Sequence, residues 1–174
     1  MQHLILGGAR SGKSSYAEQY AERSKKEVIY IATGTAGDDE MRLRIATHKE
    51  NRPRYWVTVE EPIALADVLA EYNSERYFLL VDCLTLWLSN ILFDSEGVYQ
   101  EDVFLQQKQA LLSQMGVLET DIALVSNQVG LGITPMDPMS RRFVDEAGFL
   151  HQRLAQQCSH VTLVTAGLAQ ALKQ

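Results

Sequence analysis

Gly7-Gly8-Ala9-Arg10-Ser11-Gly12-Lys13-Ser14 is the stretch that decides how this chain folds, because it meets the pattern G-x-x-x-x-G-K-[ST] at every fixed position. It follows a short apolar run, Leu4-Ile5-Leu6. It precedes a segment with Tyr16, Ala17, Tyr20 and Ala21 at i, i+4 spacing. The stretch therefore joins a buried strand to a helix. Glycines let the backbone curl so that successive N–H groups converge on an anion, and the N-terminal dipole of the following helix adds to the field. In such a loop Lys13 reaches the outer phosphates and the Ser14 hydroxyl ligates Mg²⁺. Gly7, Gly8, Ala9, Arg10, Ser11, Gly12, Lys13 and Ser14 are the candidate phosphate-binding residues. Arg10 is either a phosphate contact or a solvated side chain.

Working outward, further apolar runs read as strands: Val28 to Ala32, Trp56 to Val59, Tyr77 to Val81, Ile122 to Val125, and Val161 to Val164 as the last. Between them lie helical patterns. One starts at the acidic Asp38-Asp39-Glu40 and carries Met41 and Ile45; acidic residues suit the positive end of a helix. A second carries Leu65, Val68 and Leu69, with Pro62 expected in its first turn. Leu84 to Phe93, Val103 to Leu118 and a long Met139 to Gln157 complete the set. Asp94 to Gly97 reads as a loop, as does Asn127 to Pro138. Continuous apolar strands alternating with helices specify an α/β fold with a mainly parallel sheet covered on both faces, as one domain over residues 1–174.

The 174 residues are 46% hydrophobic and 22% charged, with a net charge of −6. An acidic chain lacks the basic surface that nucleic acid or an anionic membrane requires, so a phosphate ligand must be held by a local positive site. No apolar run is long enough to span a bilayer, and the N-terminus runs straight into a strand without a basic leader. Cys83 and Cys158 form no CxxC pair and read as reduced, buried thiols of a cytoplasmic protein.

In parallel sheets ligands sit at the carboxyl ends of the strands, which singles out Thr33-Gly34, Glu60, Asp82 and Asn127 beside the phosphate loop. Asp82 ends the most apolar strand, where a carboxylate holds Mg²⁺ directly or through water. A second group of interest is His48-Lys49-Glu50-Asn51-Arg52-Pro53. A neutral imidazole is a nucleophile toward phosphorus, and flanking cations stabilise a phosphate oxyanion. On spacing alone, however, this segment is a polar helix end with a solvated histidine. His3, His151 and His160 have no comparable setting and read as structural or exposed.

Taken together, the motifs GGARSGKSSYAE, YIATG, DDEMRLRIATHKENRP, W-x-T-x-E-x-P, LLVDCLTLWLSN, SNQVGLGITP and RRFVDEAG-x-L-x-QRLA resemble the bifunctional adenosylcobinamide kinase/adenosylcobinamide-phosphate guanylyltransferase family of cobalamin biosynthesis. They run in family order over nearly the whole chain. The resemblance implies a RecA-like P-loop NTPase fold and a homotrimer. It implies two reactions, phosphorylation of adenosylcobinamide by a nucleoside triphosphate (ATP or GTP) and transfer of GMP from GTP to the resulting phosphate. It implies that His48 carries GMP covalently and that Lys49 and Arg52 lie near the nucleotide. Glu60 and Asp82 match acids of the family's nucleotide site, and Ala32, Thr33 and Gly34 match its strand-end segment. The chain departs from the family at Gln128, where Glu is usual, at His151, where Asn is common, and at Met136-Asp137-Pro138.

Two other readings of the same residues are a simple small-molecule kinase, which leaves His48 idle, and a non-enzymatic nucleotide switch or RecA-like nucleic-acid module. The charge of −6 argues against the nucleic-acid module.

Overall fold

The structure is a computed structural model, and it describes residues 1–35 and 53–174. The strands are β1 (Gln2–Gly7), β2 (Glu27–Ala32), β3 (Val57–Glu60), β4 (Tyr77–Asp82), β5 (Asp121–Asn127), β6 (His160–Thr165) and β7 (Leu168–Lys173). The helices are α1 (Lys13–Arg23), α2 (Leu65–Glu71), α3 (Leu84–Leu92), α4 (Glu101–Val117) and α5 (Pro138–Gln157), with a 3₁₀ turn at Val129–Leu131. The seven strands form one sheet in the order β3-β2-β4-β5-β1-β6-β7. All pairings are parallel except β6 with β7.

Alternation along the strands sorts the core into two faces. Leu4, Leu6, Leu79, Val81, Ile122 and Leu124 pack against buried residues of α2, α3, α4 and α5, among them Leu69, Trp87, Leu111 and Leu150. Ile5, Tyr30, Leu80, Ala123 and Val125 pack on the other side against Ala17 and Ala21 of α1. Burial of this kind yields about 25 cal/mol per Å² of apolar surface, so strands sealed on both faces are the most stable part of the molecule.

The order of elements follows the expectation, with three corrections. β6 is not the last strand: the chain reverses at Ala166-Gly167 and returns as β7. Both turn residues have positive φ, 51° and 79°, the geometry of a tight hairpin. Pro62 lies before α2 rather than in its first turn. The turn preceding α2 is closed instead by Glu61, whose Oε1 accepts from the N–H groups of Ile63 and Ala64 at 2.8 Å each. Trp56 lies outside β3, in a turn closed by its N–H to the carbonyl of Pro53 at 3.1 Å, and its ring stacks on Tyr30 with centroids 6.4 Å apart. The helix expected from Asp38 lies outside the described residues.

Candidate nucleotide site

Parallel register carries residues from neighbouring strands to the same face and the same edge. Ala32 pairs with Glu60 and with Asp82, and Gly7 pairs with Asn127 and Val164. Tyr30 and Leu80 belong to the α1-side core, so Ala32 and Asp82, two residues further along their strands, lie on the α1 face at the carboxyl edge. The same count from Ile5 places Gly7 there. Glu60, paired with Ala32, shares that face.

The phosphate loop runs from the end of β1 into α1. Its crest, Gly8-Ala9-Arg10, is exposed, while Ser11 and Lys13 are buried. Arg10 has φ 56° and Gly12 φ 93°, which turn the backbone back on itself. The Ser11 N–H bonds the Gly8 carbonyl at 3.2 Å. Gly7 has no room for a side chain: a Cβ there would collide with the Ser11 hydroxyl and with the Val164 carbonyl 2.6 Å away. The Lys13 ammonium donates to the Gly8 carbonyl at 3.1 Å, holding the charge inside the curl of the loop. The unexpected β6–β7 hairpin braces this loop, because the Gly167 N–H donates to the Ser11 carbonyl at 2.8 Å.

Across the edge, the Tyr30 hydroxyl donates to Asp82 Oδ2 at 2.7 Å. Thr33, fully buried, locks β2 to the start of α3: its hydroxyl donates to the Cys83 carbonyl at 2.7 Å and accepts from the Cys83 N–H at 3.0 Å. Asn90 of α3 donates to the carbonyls of Thr33 and Pro62 at 2.8 and 3.1 Å. Gly34 is half-buried beside this junction. Desolvation, aided by the neighbouring Asp82 charge, pushes the Cys83 thiol up to about 11, so it is protonated and no nucleophile at neutral pH.

Ser14, in the first turn of α1, and Asp82, at the end of β4, carry the oxygens that the sequence reading assigns to a cation. No cage of three or more His, Cys, Asp or Glu residues exists among the described residues. A serine, a carboxylate and substrate phosphates are the sparse oxygen set that Mg²⁺ accepts.

A cavity of about 440 Å³ lies on the opposite face, between α3 and the start of α5, lined by Phe93, Val129, Met139 and Phe143. Its lining is mostly apolar, with Ser89, Asp137 and Ser140 as its polar members. The phosphate loop is an open cradle of backbone amides and needs no cavity. His48, Lys49 and Arg52 lie outside the described residues. After β2, the Thr35 hydroxyl donates to Asn90 Oδ1 at 3.3 Å.

A strand–loop–helix phosphate cradle facing a strand-end carboxylate defines a P-loop nucleotide-binding enzyme. The fold agrees with solved structures: a Pyrococcus horikoshii OT3 protein superposes with a TM-score of 0.57 at 9% identity, covering 99% of this chain and 86% of that one. An ATPase from the type III secretion system of pathogenic bacteria gives 0.50 at 12% identity, over 98% of this chain and 57% of that one. The family described as cobinamide kinase/cobinamide phosphate guanyltransferase matches residues 3–172, and the chain belongs to that family of bifunctional cobalamin-biosynthesis enzymes. It is 50% identical to the bifunctional adenosylcobalamin biosynthesis protein CobP of Pseudomonas aeruginosa, over 99% of this chain and 98% of that protein. It is 36% identical to the bifunctional adenosylcobalamin biosynthesis protein CobU of Escherichia coli K12, over 99% of this chain and the whole of that protein.

Sequence reasoning missed Tyr30, Asn90 and the hairpin as supports of the site. Tyr30 carried a weak signal, a hydroxyl inside an otherwise apolar strand, but its partner follows only from the adjacency of β2 and β4.

Proposed function

We propose that the chain phosphorylates adenosylcobinamide with ATP or GTP and then transfers GMP from GTP to the adenosylcobinamide phosphate through a GMP-histidine at His48. The supporting observation is the phosphate loop and Asp82 on one face of one sheet edge, in a chain of this family.

In the kinase step the acceptor hydroxyl oxygen attacks the γ-phosphorus. The bond from that phosphorus to the β,γ-bridging oxygen breaks, the hydroxyl proton leaves to solvent, and the nucleoside diphosphate departs. The loop N–H groups and Lys13 stabilise charge on the phosphate oxygens. Ser14 and Asp82 would hold Mg²⁺, which supplies neutralisation of the phosphate charge when bound. Ala32, Thr33, Gly34 and Glu60 form the strand-end wall beside the nucleotide.

In the transferase step a ring nitrogen of neutral His48 attacks the α-phosphorus of GTP and pyrophosphate leaves. A phosphate oxygen of the acceptor then attacks the same phosphorus, the P–N bond breaks, and adenosylcobinamide-GDP forms with the imidazole restored. Lys49 and Arg52 stabilise the oxyanion in both halves.

The acidic chain is assigned to the cytoplasm as a homotrimer that binds no nucleic acid. Sedimentation would check the trimer. The test of the mechanism is incubation with Mg²⁺ and GTP radiolabelled at the α-phosphate, beside His48→Ala. An acid-labile, alkali-stable label on the parent alone is expected. A parent that binds GTP but takes no label overturns the covalent step and leaves a simple kinase.

A further inference from the structure

We infer that the cavity between α3 and the start of α5, together with the apolar loop that borders it, holds the corrin ring of adenosylcobinamide while the aminopropanol arm reaches over the sheet edge to the phosphate loop. The inference rests on adenosylcobinamide being the acceptor. The phosphate loop, Asp82 and the strand-end wall serve the nucleotide, and a bulky acceptor needs a surface of its own.

Position comes first. The cavity stands beside the carboxyl edge of the sheet, on the face opposite α1. One wall includes Val129, two residues beyond the end of β5; between them the Gln128 N–H donates to the Gly7 carbonyl at 3.0 Å. The other wall includes Ser89, whose neighbour Asn90 bonds the carbonyls of Thr33 and Pro62 just beyond the ends of β2 and β3. Both walls are therefore anchored to the edge that carries the phosphate loop and Asp82. The reactive hydroxyl of adenosylcobinamide sits at the end of a flexible arm, remote from the ring. Such a substrate calls for two compartments, one that grips the ring and one that aligns the hydroxyl.

The lining sets the ligand class. Phe93, Val129, Met139, Phe143 and Val144 make it apolar, and among the described residues that line it none is a lysine, arginine or histidine. A pocket of this polarity suits a largely apolar ligand and does not suit a phosphate. The apolar surface continues outward. Leu131, Ile133 and Met136 are 76%, 98% and 94% exposed, and they lie in the loop between the 3₁₀ turn and α5, both of which line the cavity. Single exposed apolar side chains are ordinary, but three in one short loop beside an apolar cavity make a binding surface. A corrin ring is broad and edged with methyl groups, so it covers the loop as well as the cavity.

Charge agrees with this. Asp137 is the one charged residue among the described residues that line the cavity. Its Oδ2 accepts from the N–H and the hydroxyl of Ser140 at 2.8 and 2.9 Å, which holds its carboxyl below the usual carboxylate range and keeps it ionised at neutral pH. The neighbouring arginines are engaged elsewhere: Arg141 donates to the carbonyls of Pro135 and Met136, and Arg142 donates to the Tyr99 hydroxyl and pairs with Glu146. Adenosylcobinamide is a cation, because the charge on cobalt(III) exceeds that of the corrin ring and the adenosyl carbanion together, and its rim carries carboxamides. A carboxylate with the Ser89 and Ser140 hydroxyls around an apolar pocket is complementary to both.

The test is binding of adenosylcobinamide to the whole chain, with Mg²⁺ and a non-hydrolysable GTP analogue present, by equilibrium dialysis read in the visible absorbance of the corrin. Met139→Lys sets a cation against the cationic ring, and Val144→Trp fills the cavity. Each is expected to weaken adenosylcobinamide about tenfold and to raise the acceptor KM of the kinase step, while affinity for fluorescent GTP stays within about twofold. Thermal melting confirms that each variant is folded; Met139 is 45% exposed, so Met139→Lys carries the test if Val144→Trp does not fold. Unchanged acceptor affinity in Met139→Lys, or equal losses of acceptor and nucleotide, overturn the inference. So does a loss of acceptor affinity that comes with altered sedimentation, which would make this face a contact between copies of the chain. A parent that binds nucleotide but no adenosylcobinamide overturns the proposed function and this inference with it.

Discussion

A Cβ placed on Gly12 would lie 3.2 Å from the Cα of Gly167, so two glycines far apart in sequence meet where the phosphate loop leans on the β6–β7 hairpin. Both have positive φ, 93° and 79°. Gly167→Ala meets no atom within 4 Å and adds only left-handed strain, about 1–2 kcal/mol. Gly12→Ala adds that strain and also presses on the hairpin. Both variants are expected to melt earlier, and Gly12→Ala is expected to lose more GTP affinity. Equal GTP affinity in parent and Gly12→Ala would show that the hairpin does not brace the loop.

Lys13→Met removes the cation that the loop holds against the Gly8 carbonyl. A charge-assisted bond to phosphate contributes about 1.5–3 kcal/mol, so nucleotide affinity should drop about ten- to a hundredfold. A titration with fluorescent GTP reads this directly.

Tyr30→Phe and Asp82→Asn separate structure from chemistry. The first strips Asp82 Oδ2 of its 2.7 Å donor and should cost about 1–2 kcal/mol in denaturant unfolding. The second keeps an oxygen for Tyr30 but removes the charge, so the fold should survive while Mg²⁺-dependent turnover falls. Full turnover in Asp82→Asn would overturn the proposed metal-holding role of Asp82.

Burial holds the His151 imidazole down to about 4, and burial with the nearby His160 does the same for His3. The unfolded chain binds these protons near pH 6.5, so it gains protons between pH 6.5 and 4 that the folded chain refuses. Stability is unaffected by these groups above pH 6.5, falls as pH drops toward 4, and levels off below. Each group contributes on the order of 3 kcal/mol to that fall. His151→Asn cannot titrate and should flatten the acid limb of a melting-temperature profile.

The Cys83 and Cys158 thiols, raised to about 11 and about 12 mainly by burial, should resist a thiol reagent at pH 8 and react once the chain is unfolded. Rapid reaction of the native protein would show that one of them reaches solvent.

The strand-end positions of the candidate site were legible because parallel strands announce their carboxyl ends: Gly7, Ala32, Glu60 and Asp82 each close an apolar run. What was not legible depended on sheet order or helix docking. The Tyr30–Asp82 bond needs β2 beside β4. The Ser126–His151 bond needs α5 laid over β5. β7 escaped because Leu168 to Lys173 is exposed along its length and rich in Ala, Leu and Gln, without a buried strand's pattern. The Ala166-Gly167 pair after β6 was the available signal. The role given to His48 came from family resemblance, because spacing alone described a solvated side chain.

The placement of β1 has a consequence for how the enzyme comes into being. Its neighbours in the sheet are β5 and β6, so the phosphate motif is walled in by segments that come much later in the sequence. Such long-range pairing slows folding, because loop closure must precede the reward. A fragment ending at Asp82 would contain the phosphate motif and the strand-end carboxylate and still lack both walls of the cradle. Splitting the enzyme for complementation therefore has to keep β5 and β6 with β1, whatever the motifs alone suggest.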